Sequence, residues 1–214
     1  MLRMFTKLPQ IALITFLTFT LSSCDSDSVE PIQDEPNMSL YETIDSYAIK
    51  FDNSTAERNG APKKGDDPIA AIAIGGGFNE LVSALSYVDA ELDAGLVNLF
   101  LNGKDQYTVF APTDDAFNAL YDFLKVDGVT DLDPELVLNV LLYHVTDGRR
   151  ASNSVVPKNG MRTIETLLGP TFDVYPDLKI MAVGNSANIT YADISASNGI
   201  IHVIDQVILP IEVD

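Results

Sequence analysis

The sequence predicts an α+β domain. Three observations carry that prediction. Apolar residues recur mostly at helical spacing between Ile69 and His144. From Arg149 onward that period fades into short β-rich runs, punctuated by Gly169-Pro170, Pro176-Asp177 and Gly184-Asn185. Helices first and strands last is the order of α+β folds. The third observation is the stretch Asn198–Pro210: a turn at Asn198-Gly199, then an apolar strand over Ile200–Leu209 that Pro210 closes, because proline cannot donate to a sheet ladder. A terminal strand this apolar is expected to insert between other strands, so that the fold closes only with its last residues.

The chain has 214 residues, of which 46% are hydrophobic. That allows one domain with a sizeable core, plus extras. The net charge is −18. Such a surface repels phosphate backbones, which excludes nucleic acid as a partner.

The N-terminus reads as a signal. Arg3 and Lys7 precede an apolar run over Ile11–Leu21, and small residues follow. The run is too short for a comfortable membrane span. Leu21-Ser22-Ser23-Cys24 resembles the lipobox of bacterial lipoproteins. By that resemblance residues 1–23 are a lipoprotein signal peptide, and Cys24 opens the mature chain and carries acyl groups. Several acyl chains anchor a protein stably, at about 0.8 kcal/mol per buried methylene. Cys24 is the single cysteine, so no disulfide can form within the chain and no thiol is left for metal or nucleophilic work.

Residues 24–67 read as an acidic flexible tether. Asp25 to Pro36 is rich in acid, serine and proline and too poor in apolar side chains to offset the entropy of ordering. The acids after Cys24 resemble an export signal to the outer face of the outer membrane, used by lipoproteins of one Gram-negative group. In other bacteria, Asp in that place resembles an inner-membrane retention signal. The expectation is a lipid-anchored protein of the cell envelope, with the outer membrane and surface exposure as the first reading. Within the tether, Ser39 and Glu42 form a capping box, and Leu40, Ile44, Tyr47, Ala48 and Phe51 fall at helical spacing. A short helix over 39–51, docked on the domain, is expected.

The domain is expected over 68–214. Ile69–Ile74 is a short helix ended by Gly75-Gly76-Gly77. The triple glycine lacks the Lys-Ser/Thr of a phosphate loop and reads as a turn. Phe78–Val88 and Leu92–Leu101 are further helices, and Tyr107–Phe110 is a strand. Thr113 caps the next helix, with Asp114 and Asp115 in its first turn, where the macrodipole favours negative charge. Asp133-Pro134 opens another helix, expected to continue to Gly148. Asp127, Asp131, Asp133 and Glu135 do not fit an EF-hand register, so they read as a solvated loop and a cap. Strands are expected at Met161–Leu167, Thr171–Tyr175, Leu178–Val183, Asn188–Tyr191 and Ile200–Leu209.

Catalytic chemistry finds little material. There are two histidines, His144 and His202. His202 and Asp205 are three apart on the expected strand, hence on opposite faces. Ser195 and Ser197 sit in no nucleophile elbow. Both histidines read as buried imidazoles tied to backbone, and no enzyme, cofactor or metal site is expected.

Thr108-Val109-Phe110-Ala111-Pro112-Thr113-Asp114-Asp115-Ala116-Phe117 resembles the first signature box of the fasciclin-like adhesion domain. Asn198–Pro210 resembles the second, and Leu141-Leu142-Tyr143-His144-Val145 the Tyr-His segment between them. The resemblance covers about residues 68–214. It implies a fasciclin-like wedge of twisted β-sheet packed with several helices. It implies adhesion to a protein or an extracellular matrix partner. Carried over residue by residue, it marks Tyr143 and His144 as candidate binding residues, together with Asp193 and Ile194, which match an integrin-recognition pair of some animal members. The alternative is a lipoprotein that binds glycans or small ligands for an uptake or degradation system. The absence of tryptophan weakens a sugar-stacking site.

Overall fold

The computed structural model describes residues 63–212. The signal peptide expected over 1–23, Cys24 and the helix expected at 39–51 lie outside the described residues.

Three helices come first: α1 (Ile69–Gly75), α2 (Asn79–Leu92) and α3 (Leu96–Asn102). Each buries the apolar stripe its spacing announces, with Ile69 and Ile72, Leu81, Leu85 and Val88, and Leu96 and Phe100 pointing inward. The helix expected over Leu92–Leu101 is corrected. Leu92 ends α2, the chain turns through left-handed Asp93 and Gly95, and α3 begins at Leu96. The Asp89 carboxylate reaches forward and accepts from the Leu96 and Val97 N–H groups at 2.7 and 2.8 Å. The cap of α3 therefore belongs to the preceding helix.

Strand β1 (Tyr107–Pro112) leads into α4 (Asp114–Leu124), capped by the Thr113 hydroxyl. Asp114 also works outside its own helix. Its carboxylate accepts from the Glu80 N–H and the Asn79 side-chain amide, both at 2.9 Å, and so caps α2. A 3-10 turn (Val129–Asp131) precedes α5 (Pro134–Tyr143), whose N-cap is Asp133, as expected. That helix stops at Tyr143, earlier than the expected Gly148. Val145–Asp147 is instead β2, antiparallel to β1. A single helical turn, α6 (Ser152–Val155), follows, and no helix was expected there.

The remaining strands are β3 (Arg162–Glu165), β4 (Thr171–Val174), β5 (Lys179–Met181), β6 (Ser186–Ala196) and β7 (Gly199–Ile204). Strands β3 and β5 are each three residues shorter than expected and β4 is one shorter; β6 and β7 differ most. Strand β6 is far longer than Asn188–Tyr191 and takes in Asp193 and Ile194. Strand β7 stops at Ile204, because Asp205 turns aside to accept from the Asn188 N–H and side chain at 2.7 and 2.8 Å. Val207 and Leu209 then bond to the side chain of Asn185 rather than to a strand.

The seven strands run in the order β2-β1-β7-β6-β5-β4-β3. The terminal strand β7 inserts between β1, parallel, and β6, antiparallel. Register shifts on either side of Tyr191 mark β6 as bulged, and bulges bend and twist a strand. The bend brings the sheet's two ends together. Leu167 N–H donates to the Val145 carbonyl at 2.8 Å, and the Thr146 hydroxyl donates to the Glu165 carbonyl at 2.7 Å. Neither outermost strand is left as an open edge there.

Alternation along β1 and β7 then separates two cores. Val109, Ala111, Ile201 and Val203 face the helices. Phe110 and Ile204 face the inside of the curl, with Tyr143, Ile164, Phe172, Val174 and Ile180. Phe110 on β1 meets Phe172 on β4 edge-to-face at 5.0 Å, a contact that only a curled sheet permits. Residues 63–67, expected as linker, lie along the end of β6: Gly65 N–H donates to the Ala196 carbonyl and Ser197 N–H to the Asp67 carbonyl.

Candidate binding residues and the domain that carries them

Tyr143 sits at the end of α5, fully buried. Its hydroxyl donates to the Thr171 carbonyl at 2.8 Å and accepts the Val183 N–H at 3.4 Å, and its ring packs edge-on against Phe172. His144 follows it, 3% exposed. Its Nδ1 lies 2.7 Å from the Val140 carbonyl, and its Nε2 accepts from the Ile208 N–H at 3.0 Å. That pattern requires a neutral ring with the proton on Nδ1. Burial disfavours the imidazolium, outweighs the hydrogen bond to Val140, and holds the His144 pKa down at about 4. The pair thus ties α5 to the β4–β5 region and to the C-terminal segment, and in this conformation it offers no atom to a partner.

His202 on β7 repeats the device. It is wholly buried against Phe110. Nδ1 accepts from the Asp193 N–H at 3.3 Å, and Nε2 lies 3.0 Å from the Arg150 carbonyl. Burial is again the main cause that lowers its pKa.

Asp193 stands at the second irregularity of β6, in a left-handed conformation with φ of 67°. Its carboxylate accepts from the Ser152 N–H at 2.6 Å and from the Ser152 hydroxyl, at the start of α6. Ile194 points into the core beneath the helices. The turn expected at Asn198-Gly199 is Ser197-Asn198, and Asp193 and Ile194 lie ahead of it, within β6. Of the four candidate binding residues, Asp193 alone is partly exposed, and its carboxylate is already engaged.

Two residues have roles that the sequence did not reveal, Asn198 having been read only as a turn residue. The Arg149 guanidinium donates to the carbonyls of Ala196, Gly199 and Lys63 and to the Ser195 hydroxyl. It gathers residues 63–67 and the β6–β7 turn into one cluster. The other is Asn198, whose side chain accepts from Ile69 N–H and donates to the Phe100 carbonyl. Each is polar within an unremarkable local pattern, and its partners lie tens of positions away.

Elsewhere an apolar groove runs between α4, α5 and the C-terminal segment. It holds about 70 Å³ and is lined by residues that include Phe117, Leu120, Leu124, Leu136, Val140 and Ile211. Its exposed lining is wholly apolar, which gives no hydrogen-bonding groups to orient a sugar. Among the described residues, no three His, Cys, Asp or Glu side chains group as a metal site.

A family description, "Fasciclin domain", matches residues 76–210. Protein sll1483 of Synechocystis is 38% identical over 135 residues, covering 62% of this chain and 67% of that protein. The immunogenic protein MPB70 of Mycobacterium bovis is 31% identical over 150 residues, covering 67% of this chain and 69% of that protein. Among solved structures, the FAS1 domain pair of the insect cell adhesion molecule Fasciclin I overlays with a TM-score of 0.43 at 19% identity, over 61% of this chain and 45% of that one. The family match spans both signature boxes and the Tyr-His segment, and the helices and curled sheet described above are the α+β architecture expected of it. The chain belongs to the Fasciclin domain family.

Proposed function

We propose that this protein is a cell-surface adhesion module, held in the envelope by lipid on Cys24, whose fasciclin domain docks on a protein or matrix partner. The observation that carries the reading is the family match over residues 76–210. The site chemistry agrees with it. Both histidines are buried, neutral and saturated by backbone, so neither is free to act as a general acid or base. The contact surface we infer is the partly exposed rim around Asp193 and Ser152. Ile194 is buried beneath that rim, while Tyr143 and His144 hold α5 to the β4–β5 region and the C-terminal segment. The apolar groove does not favour the glycan alternative.

The test uses the chain from residue 24 with Cys24→Ser, coated on beads. Beads should bind cells or matrix above uncoated controls, and binding equal to controls would sink the adhesion reading. The anchor is tested separately in cells. Cys24→Ser should move the protein from the membrane to the soluble fraction, and continued retention would refute lipidation.

A further inference from the structure

We propose that Asn159 is a site of spontaneous covalent modification, at which its side-chain amide is lost to the Gly160 nitrogen, and that the fold withholds the same reaction from Asn198. Asparagine followed by glycine is the reactive unit, because glycine has no Cβ to keep its nitrogen away from the preceding side chain. The Gly160 nitrogen gives up its proton to solvent base and bonds to the Asn159 Cγ. The Cγ–Nδ2 bond breaks, ammonia leaves, and a succinimide ring remains. Water then opens the ring. Cleavage of the new Cγ–N bond gives aspartate. Cleavage of the original peptide C–N bond gives isoaspartate, whose main chain is longer by the side-chain methylene. Water and base are the only co-reactants.

The sequence holds this pair at Asn59-Gly60, Asn102-Gly103, Asn159-Gly160 and Asn198-Gly199, the first of them outside the described residues. The fold separates the other three. Asn102 ends α3, its Nδ2 donates to Asn98 at 2.9 Å, and the Gly103 N–H donates to the Leu99 carbonyl at 2.9 Å. The nitrogen that would attack is tied to the helix. Asn198 is 3% exposed, and both ends of its amide are bonded, to the Ile69 N–H and the Phe100 carbonyl. Gly199 opens β7 and is held between Ala196 and Tyr107. A Cβ on it would stand 2.1 Å from the Tyr107 carbonyl oxygen, so the backbone there has no room to lengthen. Asn159 and Gly160 differ on every count. Both are exposed in a bend between α6 and β3. Among the described residues, neither the Asn159 side chain nor the Gly160 N–H has a hydrogen-bond partner. Gly160 has a φ of 72°, and nothing lies within 4 Å of where its Cβ would be. This loop can swing the nitrogen onto Cγ, where reaction within one chain is fast. It can also take up the extra methylene without disturbing a strand.

Peptide mapping by mass spectrometry after ageing decides it. The chain from residue 24 with Cys24→Ser is held at mildly alkaline pH, folded in one arm and unfolded in urea in the other. In the unfolded arm Asn102, Asn159 and Asn198 should convert together. In the folded arm Asn159 should keep its unfolded rate. Asn198 should slow at least about a hundredfold, the equivalent of about 2.8 kcal/mol of local opening. Asn159 converting no faster than Asn198 in the folded arm would overturn the proposal, as would an Asn159 rate cut more than about tenfold by folding. Returning the unfolded arm to native buffer then sorts its products. The refolded fraction should keep converted Asn159 and be depleted of converted Asn198. Equal recovery of both would overturn the protection assigned to Asn198.

Discussion

Asn198 and Ile69 lie 129 positions apart and share a buried hydrogen bond of 2.8 Å, from the backbone N–H of Ile69 to the side-chain oxygen of Asn198. Ile69 is the first residue of α1, so this N–H has no partner within its helix. The other half of the same amide donates to the Phe100 carbonyl at the far end of α3. One side chain in the β6–β7 turn therefore closes the ends of two helices.

Asn198→Ala should accordingly lower stability by about 2–4 kcal/mol, since it strands a donor and an acceptor that are both buried. Asn198→Asp keeps the acceptor but buries a carboxylate with one oxygen against the Phe100 carbonyl, so at neutral pH it should cost at least as much as Asn198→Ala. Urea denaturation with an unchanged m-value is the measurement. A loss below about 0.5 kcal/mol for the alanine variant would show that water replaces the amide, and the closing role would be withdrawn.

The histidines make stability depend on pH. His144 has a folded pKa of about 4, against an unfolded value of 6.5. Above pH 6.5 the ring is neutral in both states, and its contribution is fully present. Between 6.5 and about 4 only the unfolded chain takes up the proton, so stability falls as acid is added, by about 3 kcal/mol over the window. Protonation would also turn the acceptor facing the Ile208 N–H into a second donor. His202 acts in the same direction. Unfolding free energies at pH 8, 6, 5 and 4 should show this slope, and His144→Gln should flatten it. An equal slope in both proteins would assign the acid sensitivity to His202 and the carboxylates instead.

How far the sequence revealed this fold follows from the range of each interaction. Helix faces and the Thr113 and Asp133 caps were legible because spacing and cap lie within one turn of each other. The second signature box announced a terminal strand, and β7 does insert at the sheet's centre. Strand β2 was hidden because Leu141 and His144 continue a helical stripe beyond Tyr143. Its pairing partner, Tyr107–Val109, is remote in sequence. Asp193 gave no local signal of its left-handed backbone, which belongs to a bulge within β6. Arg149 gave no local signal at all, since its acceptors are mostly carbonyl groups, which every residue carries.

Arg149 yields the next prediction. Its fork meets several acceptors at once, which a lysine ammonium on a flexible stem cannot match. Burial lowers its pKa without approaching neutrality as a competing state, so the charge persists. Arg149→Lys should loosen residues 63–67 from β6 while the sheet stays closed. Hydrogen exchange at the Gly65 and Ser197 amides should quicken about tenfold, the equivalent of 1.4 kcal/mol in local opening. Exchange at the buried amides of β7 should change much less. Equal acceleration at both places would mean that Arg149 stabilises the whole domain rather than this junction.

Tyr143 separates contact from support. Its hydroxyl is spent on Thr171 and Val183, and its ring is sealed behind the sheet. Tyr143→Phe removes both hydrogen bonds and keeps the ring packing, so stability should fall by about 1–3 kcal/mol. Bead adhesion, measured well below the melting temperature, should stay unchanged. Ser152→Ala and Asp193→Ala should behave otherwise, because they alter the partly exposed rim where α6 meets β6. Asp193→Asn is the milder variant, since asparagine tolerates the left-handed backbone, removes the charge and keeps one of the two acceptors that Ser152 uses. If Tyr143→Phe abolishes adhesion while the domain remains folded, the Tyr-His segment itself reaches the partner, and the domain must open around α5 for it to do so.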